Sequence, residues 1–235
     1  MRPEILFKLF TPSKELPGVG PRITALLTNL AGAHIGDLLW VLPNNFIDRR
    51  FCPLIGAAPN GEICTFIATV IEHIPSPTRK RPYRVICSDD SGLLELVYFN
   101  ARKDYLQEIL PINEKRIISG KVDVFNGRVQ VMHPDHVVKE EDKASILTLE
   151  PVYPLTHCLT GKVLLRCIHD AFKLTPNLPE WLDPNLVKQK QWMSWIDSLR
   201  AVHAPKTHGE LIPTSNNRAR LAYDELLANQ LALAM

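Results

Sequence analysis

Three aromatic residues and two cations lie close together in the stretch "VYFNARKDYL". Tyr98 and Phe99 end a predicted strand, Arg102 and Lys103 follow, and Tyr105 comes two residues later. Because successive side chains of a strand leave on opposite faces, Tyr98 and Phe99 cannot both enter one core. One ring must project outward, beside positive charge. Such a ring either stacks on nucleic-acid bases, with the cations on phosphates, or packs against neighbouring helices.

A second group of cations occupies "TRKRPYR", which follows "IPSP" and is therefore predicted to form a loop. Its members are Arg79, Lys80, Arg81 and Arg84. The net charge of the chain is only +2, so any attraction to a polyanion must come from local clusters of this kind. The loop is interpreted as a contact for nucleic-acid phosphates, and the alternative is a solvated hairpin tip.

Glycines open the helical segment "LPGVGPRITALL". Gly18 and Gly20 allow a tight turn with exposed amides, and Pro21 suits the first position of a helix. Exposed amides at a helix start bind phosphate oxygens, as in a helix-hairpin-helix element that grips a nucleic-acid backbone. The alternative is an ordinary glycine-rich helix entry that packs on a neighbour.

The elements that must position these residues follow from a change of period near Glu62, where the apolar spacing turns from helical to alternating. The sequence predicts three strands, the short helix "ARKDYLQEIL", and two more strands joined by Asn126 and Gly127, a pair typical of a type I′ hairpin. The strands are "EICTFIATVIEHI", "PYRVICSDD", "LLELVYFN", "KRIISGKVDVF" and "RVQVMHP". This order is that of an OB-fold barrel, which binds nucleic acid on its second and third strands and in its 1–2 and 4–5 loops.

Helical patterns flank the predicted barrel on both sides, so the fold class is α+β. The division predicted is a helix-hairpin-helix-like segment over 1–55, the OB barrel over 56–140 and a helical region over 141–235. The last helix, "RARLAYDELLANQLALAM", stops on apolar residues without a capping residue. It is therefore expected to be cut within the element.

Residues that could catalyse a reaction or bind a metal form no constellation. The segment "TGKVLL" resembles the tail of a P-loop but has Thr156 and Val163 where that motif needs Gly and Ser or Thr, so Thr160 is interpreted as a helix N-cap. His133 and His136 of "HPDH" lack further ligands at suitable spacing and are interpreted as a polar strand end. No catalytic residue and no metal site are predicted.

Composition limits the class of protein. Hydrophobic residues make up 46% and charged residues 22% of the chain, as in ordinary globular proteins. No apolar run approaches the roughly 18 residues of a membrane span, and the five cysteines contain no CxxC spacing. The chain is expected to be a cytoplasmic monomer that does not contact a membrane.

Several of these motifs, in this order, resemble the N-terminal part of the RecG family of bacterial branched-DNA helicases. The resemblance spans essentially the whole chain and is carried by "LPGVGPRITALL", "DLLWVLPNNFIDRR", "LELVYFNARKDYL", "GRVQVMHPDHVV", "EPVYPLT" and "LAYDELLANQLALA". In that family the OB-fold is a wedge domain at the branch point of a stalled replication fork or Holliday junction. The resemblance thus implies a role in DNA recombination and repair, with branched DNA as the partner.

The resemblance also implies roles for individual residues. The family's stacking aromatics fall on Phe99 in "YFN" and on Tyr105 in "DYL", and Tyr98 stands where some members have a further aromatic. Arg79, Lys80, Arg81, Arg84, Arg102, Lys103, Gly18 and Gly20 are the predicted phosphate contacts. The family's motor lobes, which bind ATP and Mg²⁺, have no counterpart in the sequence. We therefore expect the chain to bind branched DNA without a cofactor and without hydrolysing ATP. The alternative is a self-standing OB-fold protein that binds single-stranded DNA or tRNA.

Overall fold

The computed structural model describes residues 3–76 and 81–234 of the chain. Contacts divide the chain into two compact units: Met1–Phe46 together with Pro151–Met235, and Ile47–Glu150. We call them the helical unit and the barrel unit. The predicted division into 1–55, 56–140 and 141–235 differs from this one, because the first and last segments pack into one unit. Local sequence patterns carry no signal for contacts between such distant segments.

Most of the described residues lie in helices or strands. The helices are α1 Pro21–Leu30, α2 Ile35–Leu39, α3 Lys103–Ile109, α4 Lys143–Ile146, α5 Gly161–Leu174, α6 Pro184–Lys190, α7 Trp195–His203 and α8 Asn216–Ala234. The strands are β1 Asn45–Asp48, β2 Ile63–Ile74, β3 Tyr83–Ser88, β4 Leu93–Tyr98, β5 Lys115–Phe125, β6 Arg128–Met132, β7 His136–Lys139 and β8 Leu149–Val152. Short 3₁₀ helices lie at Glu4–Phe10, Ser13–Glu15, Ile55–Ala57, Glu140–Asp142 and His208–Leu211.

The barrel unit confirms the predicted OB fold. The strands lie in the order β2-β3-β4-β6-β5, and antiparallel pairing of β2 with β5 closes the barrel. β4 and β6 are parallel, whereas the other neighbours are antiparallel. Asn126 and Gly127 join β5 to β6 with φ values of 50° and 74°, as the predicted hairpin requires. α3 follows β4, as predicted, and buries Leu106 in the barrel core.

Three strands were missed by the sequence patterns, because each has only four residues. β7 pairs antiparallel with β5 and extends the sheet beyond the five barrel strands. β1 and β8 form a separate two-stranded sheet. Runs this short give too few alternations to separate a strand from a loop.

A buried arginine links the two chain segments that enter and leave the barrel unit. Arg49 is 3% exposed; its guanidinium pairs with Glu150 and Asp135 and donates to the Ser119 hydroxyl. Burial alone would raise the pKa of Glu150, but hydrogen bonds from His136 and Arg49, together with the charge of Arg49, lower it to about 2. The carboxylate therefore remains charged, and the buried guanidinium keeps its partner.

The helical unit packs α1 and α2 against α5 and α7 around one apolar core. Within it lies a histidine of fixed tautomer. His203 Nε2 donates to the Leu39 carbonyl at 2.9 Å, and Nδ1 accepts from the Tyr153 hydroxyl at 2.8 Å. Burial is the main cause that lowers the pKa of His203 to about 4, against the hydrogen bond to Leu39. The buried imidazole is therefore neutral at pH 7.

Acid is expected to destabilise the chain through this imidazole. The pKa of His203 is about 4 in the folded chain and about 6.5 in the unfolded chain, so the unfolded state binds more protons between these values. The contribution is complete above pH 6.5 and is lost as the pH falls toward 4. Between pH 7 and pH 5.5 the free energy of unfolding should fall by about 1 kcal/mol from this group. Urea unfolding at both pH values measures it, and an equal fall in His203→Gln would contradict the assignment.

The last helix, α8, is fixed by a buried ion pair. Arg220 is fully buried; it donates to Glu180 at 2.8 Å and to Asp224 at 2.8 Å, and it lies 5.5 Å from the Trp181 ring. Farther along α8 the apolar residues Leu226, Leu231 and Leu233 are exposed. Across residues 3–76 and 81–234, no helix is long and apolar enough to span a membrane.

Candidate nucleic-acid interface

The structure separates the two adjacent aromatics at the end of β4. Leu94, Leu96 and Tyr98 face the barrel core, so Phe99, one residue beyond Tyr98, leaves on the opposite side. Phe99 is 45% exposed and Tyr98 only 8%. Alternation alone did not show which of the two rings is buried. In the structure Tyr98 is the buried ring and Phe99 the exposed one.

Tyr98 was also predicted as a stacking residue, and its burial argues against that role. Its ring packs in the barrel core and makes an edge contact with His133, with centroids 5.9 Å apart. Burial raises the pKa of its phenol. The ring is only 8% exposed, so little of its surface is available to a base.

Tyr105 lies on the outer side of α3. The helix turns Leu106 into the barrel core, and this leaves the neighbouring Tyr105 side chain 56% exposed. Arg102 precedes the helix as its N-cap residue, and Lys103 is its first residue; both are exposed. An exposed ring and two cations thus accompany Phe99 on the segment that follows β4.

A cleft of about 500 Å³ lies between this segment and the start of β3. Arg81 and Lys103 line it, so the structure brings together one cation from each predicted cluster. Its walls include Tyr83, whose hydroxyl lies 3.0 Å from His73 Nδ1, while His73 Nε2 donates to the Leu110 carbonyl at 2.7 Å. These bonds tie β2, β3 and the end of α3 together beside the cleft.

Other predicted phosphate contacts are distributed differently. Arg84 lies on the outer face of β3, where its Nε is 2.9 Å from Glu95 Oε1. Glu95 is 4% exposed and also lies 3.9 Å from Arg128. A phosphate bound to Arg84 would therefore compete with the buried carboxylate of Glu95. The sequence alone did not suggest this competition. Arg79 and Lys80 lie outside the described residues.

The glycine turn before α1 belongs to the helical unit. Gly18 has a φ of 69°, and Gly20 is the extended N-cap residue of α1. The guanidinium of Arg166 on α5 lies against Gly18 and donates to its carbonyl at 3.5 Å. An exposed cation thus accompanies the turn. Sequence reasoning missed it, because Arg166 is far away along the chain.

The β5–β6 hairpin carries a further exposed ring that the sequence analysis did not single out. Phe125 is 60% exposed and pairs across the hairpin with Arg128, whose side chain is 73% exposed. Both flank the Asn126-Gly127 turn in the loop that OB-folds use for binding. Phenylalanine is common in strands, so the sequence pattern alone does not distinguish Phe125 from an ordinary strand residue.

In the part of the chain that the structure describes, the two remaining sequence motifs make contacts within the fold. Thr160 caps α5, since its hydroxyl accepts a hydrogen bond from the Val163 amide, as predicted. His133 follows the end of β6, and His136 lies in β7 and pairs with Glu150. Within the described part of the chain, no group of three or more His, Cys, Asp or Glu side chains could hold a metal ion.

The barrel topology and its exposed rings beside cations are typical of OB-fold modules that bind nucleic acids. A family model described as the RecG wedge domain matches residues 12–174. The chain therefore belongs to the RecG wedge-domain family, and the resemblance seen in the sequence is confirmed.

Individual relatives agree with this family. The ATP-dependent DNA helicase RecG of Escherichia coli K12 is 27% identical over 230 residues, which cover 94% of this chain and 33% of the relative. RecG of Acidithiobacillus ferridurans is 26% identical over 222 residues, with 93% and 31% covered. A solved structure of RecG bound to a three-way DNA junction matches with a TM-score of 0.81 at 25% identity, over 95% of this chain and 31% of that one. The chain thus spans about a third of the length of these relatives.

Proposed function

We propose that this chain binds branched DNA and acts as a wedge between the arms of a fork or Holliday junction during DNA recombination and repair. The observation that carries the proposal is the pair of exposed rings, Phe99 and Tyr105, on the segment after β4, in a chain whose fold matches a RecG structure bound to a three-way junction. The two rings stack on bases that are unpaired at the branch. Tyr98 supports the surface from the core.

Positive charge on the same segment, and on the chain just before β3, supports the proposal. Arg81 and Lys103 line one cleft, and Arg102 is exposed beside it. Each cation can neutralise a backbone phosphate without reading sequence. The rings then add stacking energy that is available only where bases are unpaired, because the bases of a duplex are already stacked on one another.

A second phosphate contact is proposed at the glycine turn of the helical unit. Gly18 and Gly20 present backbone at the start of α1, where the helix dipole favours an anion. The exposed guanidinium of Arg166 adds positive charge at the same turn. This contact would hold duplex DNA and would not distinguish a branch.

The proposal assigns binding to this chain, with no cofactor and no ATP hydrolysis. Separation of the arms then requires a motor that pulls duplex against the barrel. The proposal also takes the chain to be a monomer that acts in the cytoplasm. Sedimentation equilibrium at the protein concentrations of the binding assay tests whether the chain is a monomer.

Equilibrium binding to three matched DNA molecules tests the function. Fluorescence anisotropy of a labelled fork, a duplex and a single strand of equal length should give the highest affinity for the fork, because only the fork offers both duplex phosphates and unpaired bases. Equal affinity for fork and single strand would favour a self-standing single-strand-binding protein and would contradict the wedge.

Replacement of Arg79, Lys80 and Arg81 by alanine is expected to weaken binding to fork, duplex and single strand by similar factors. Each lost phosphate contact should also make the slope of log K against log salt shallower by about one unit or less. Affinity titrations at several salt concentrations measure both effects. An unchanged slope would show that this loop is only a solvated hairpin tip.

A further inference from the structure

We propose that His133 is a positioning residue for the stacking ring of Phe99. The imidazole holds the backbone and the ring of Phe99 in the outward orientation, so that Phe99 meets a base without first being ordered. This inference rests on the proposed function, since it concerns the same stacking surface. It gives a role to a histidine whose motif, "HPDH", otherwise reads as a polar strand end.

The backbone at the end of the sheet carries the first step. The parallel ladder between β4 and β6 ends at the pair Val97–Met132, so the amide of Phe99 lies beyond it. His133 adopts a left-handed φ of 45°, and its own amide donates to the Val97 carbonyl at 2.9 Å. Its side chain then replaces the missing strand partner, because His133 Nε2 accepts the Phe99 N–H at 3.2 Å.

The imidazole also contacts both aromatic rings that end β4. Its centroid lies 5.9 Å from the ring of Tyr98, at an interplanar angle of 84°, and 5.9 Å from the ring of Phe99, at 32°. Tyr98 is fixed in the barrel core. His133 therefore connects a buried ring to an exposed one, and this contact limits the orientations open to Phe99.

The direction of the hydrogen bond fixes the state of the imidazole. A backbone N–H can only donate, so Nε2 of His133 must present a lone pair. The ring is then neutral and carries its hydrogen on Nδ1. A hydrogen on Nδ1 of His133 is therefore the observable sign that Nε2 accepts the Phe99 N–H.

A pre-ordered ring should bind a base more tightly than a free one, because ordering a side chain on binding costs free energy. Removal of the His133 contact should therefore weaken fork binding by about 2- to 10-fold. His133→Asn removes the acceptor at the position of Nε2 and keeps a residue that tolerates a left-handed backbone. His133→Gln is the matched control, since its amide oxygen extends about as far as Nε2.

A double-mutant cycle tests whether His133 acts through Phe99. Fork affinities are measured for the native chain, His133→Asn, His133→Gln, Phe99→Ala and the double variant Phe99→Ala with His133→Asn. We expect His133→Gln, which keeps the acceptor but not the ring contacts, to lose less affinity than His133→Asn, and the double variant to bind as Phe99→Ala does, because the two residues share one effect. Multiplying losses, or a native affinity in His133→Asn, would overturn the inference.

A readout without DNA separates this inference from the proposed function. Long-range ¹H–¹⁵N spectra should show a neutral His133 with its hydrogen on Nδ1, and a coupling between the Phe99 nitrogen and His133 Nε2 across the hydrogen bond. A hydrogen on Nε2 would overturn the positioning role whatever the DNA binding. If Phe99→Ala binds forks as tightly as the native chain, the proposed function fails, and these spectra alone decide the positioning of Phe99.

Discussion

Replacement of Phe99 by alanine is expected to weaken binding to branched DNA by about 1 to 3 kcal/mol, the value of one base stacked on an aromatic ring. This corresponds to a loss of about 5- to 150-fold in affinity. Binding to plain duplex should be nearly unchanged, because its bases are not available to the ring. Tyr105→Ala is expected to act in the same direction. Anisotropy titrations with a fork and a duplex of equal length measure both variants.

The thermal midpoint of each variant is the control for this result. Phe99 is 45% exposed and Tyr105 is 56% exposed, so truncation of either ring should cost less than about 1 kcal/mol of stability. A loss of duplex binding equal to the loss of fork binding would show that these rings do not recognise unpaired bases.

Replacement of Tyr98 by alanine should instead lower the free energy of unfolding by about 3 to 5 kcal/mol, as is usual when a buried aromatic residue is truncated. The ring is 8% exposed and packs in the barrel core. Chemical unfolding followed by circular dichroism measures the change. Compared with the small loss of stability expected for Phe99→Ala, this result distinguishes the two neighbouring rings without any DNA-binding measurement.

Tyr98→Phe is the matched control. The Tyr98 hydroxyl is buried and has no hydrogen-bond partner in the described part of the chain, so its removal should be neutral or slightly stabilising. If Tyr98→Ala were stable and defective on forks while Phe99→Ala unfolded, the two faces of β4 would be reversed.

Much of the barrel could be predicted from the sequence because its strands are long enough to show their period. β2 and β5 have 12 and 11 residues, and the Asn126-Gly127 pair marks the hairpin without ambiguity. Alternation also established that Tyr98 and Phe99 lie on opposite faces. It could not say which ring enters the core, since both are large and aromatic and only the closed barrel distinguishes the faces.

What the sequence could not predict depends on contacts between distant segments. Arg84 meets Glu95 through the register of β3 and β4, and Arg166 reaches Gly18 from another helix. His133 reaches Phe99 only because β4 and β6 run parallel and end together. None of these pairs has a local signature. The sequence therefore identified residue types suited to nucleic acid, and the fold decides which of them are available.

The most direct measurement uses 2-aminopurine, a fluorescent base whose emission is quenched by stacking, at the unpaired position next to the branch of a fork. Saturating native chain and Tyr98→Phe should change its fluorescence in the same way, and saturating Phe99→Ala should produce a much smaller change. An equal change with Phe99→Ala at saturation would contradict stacking by Phe99 at the branch.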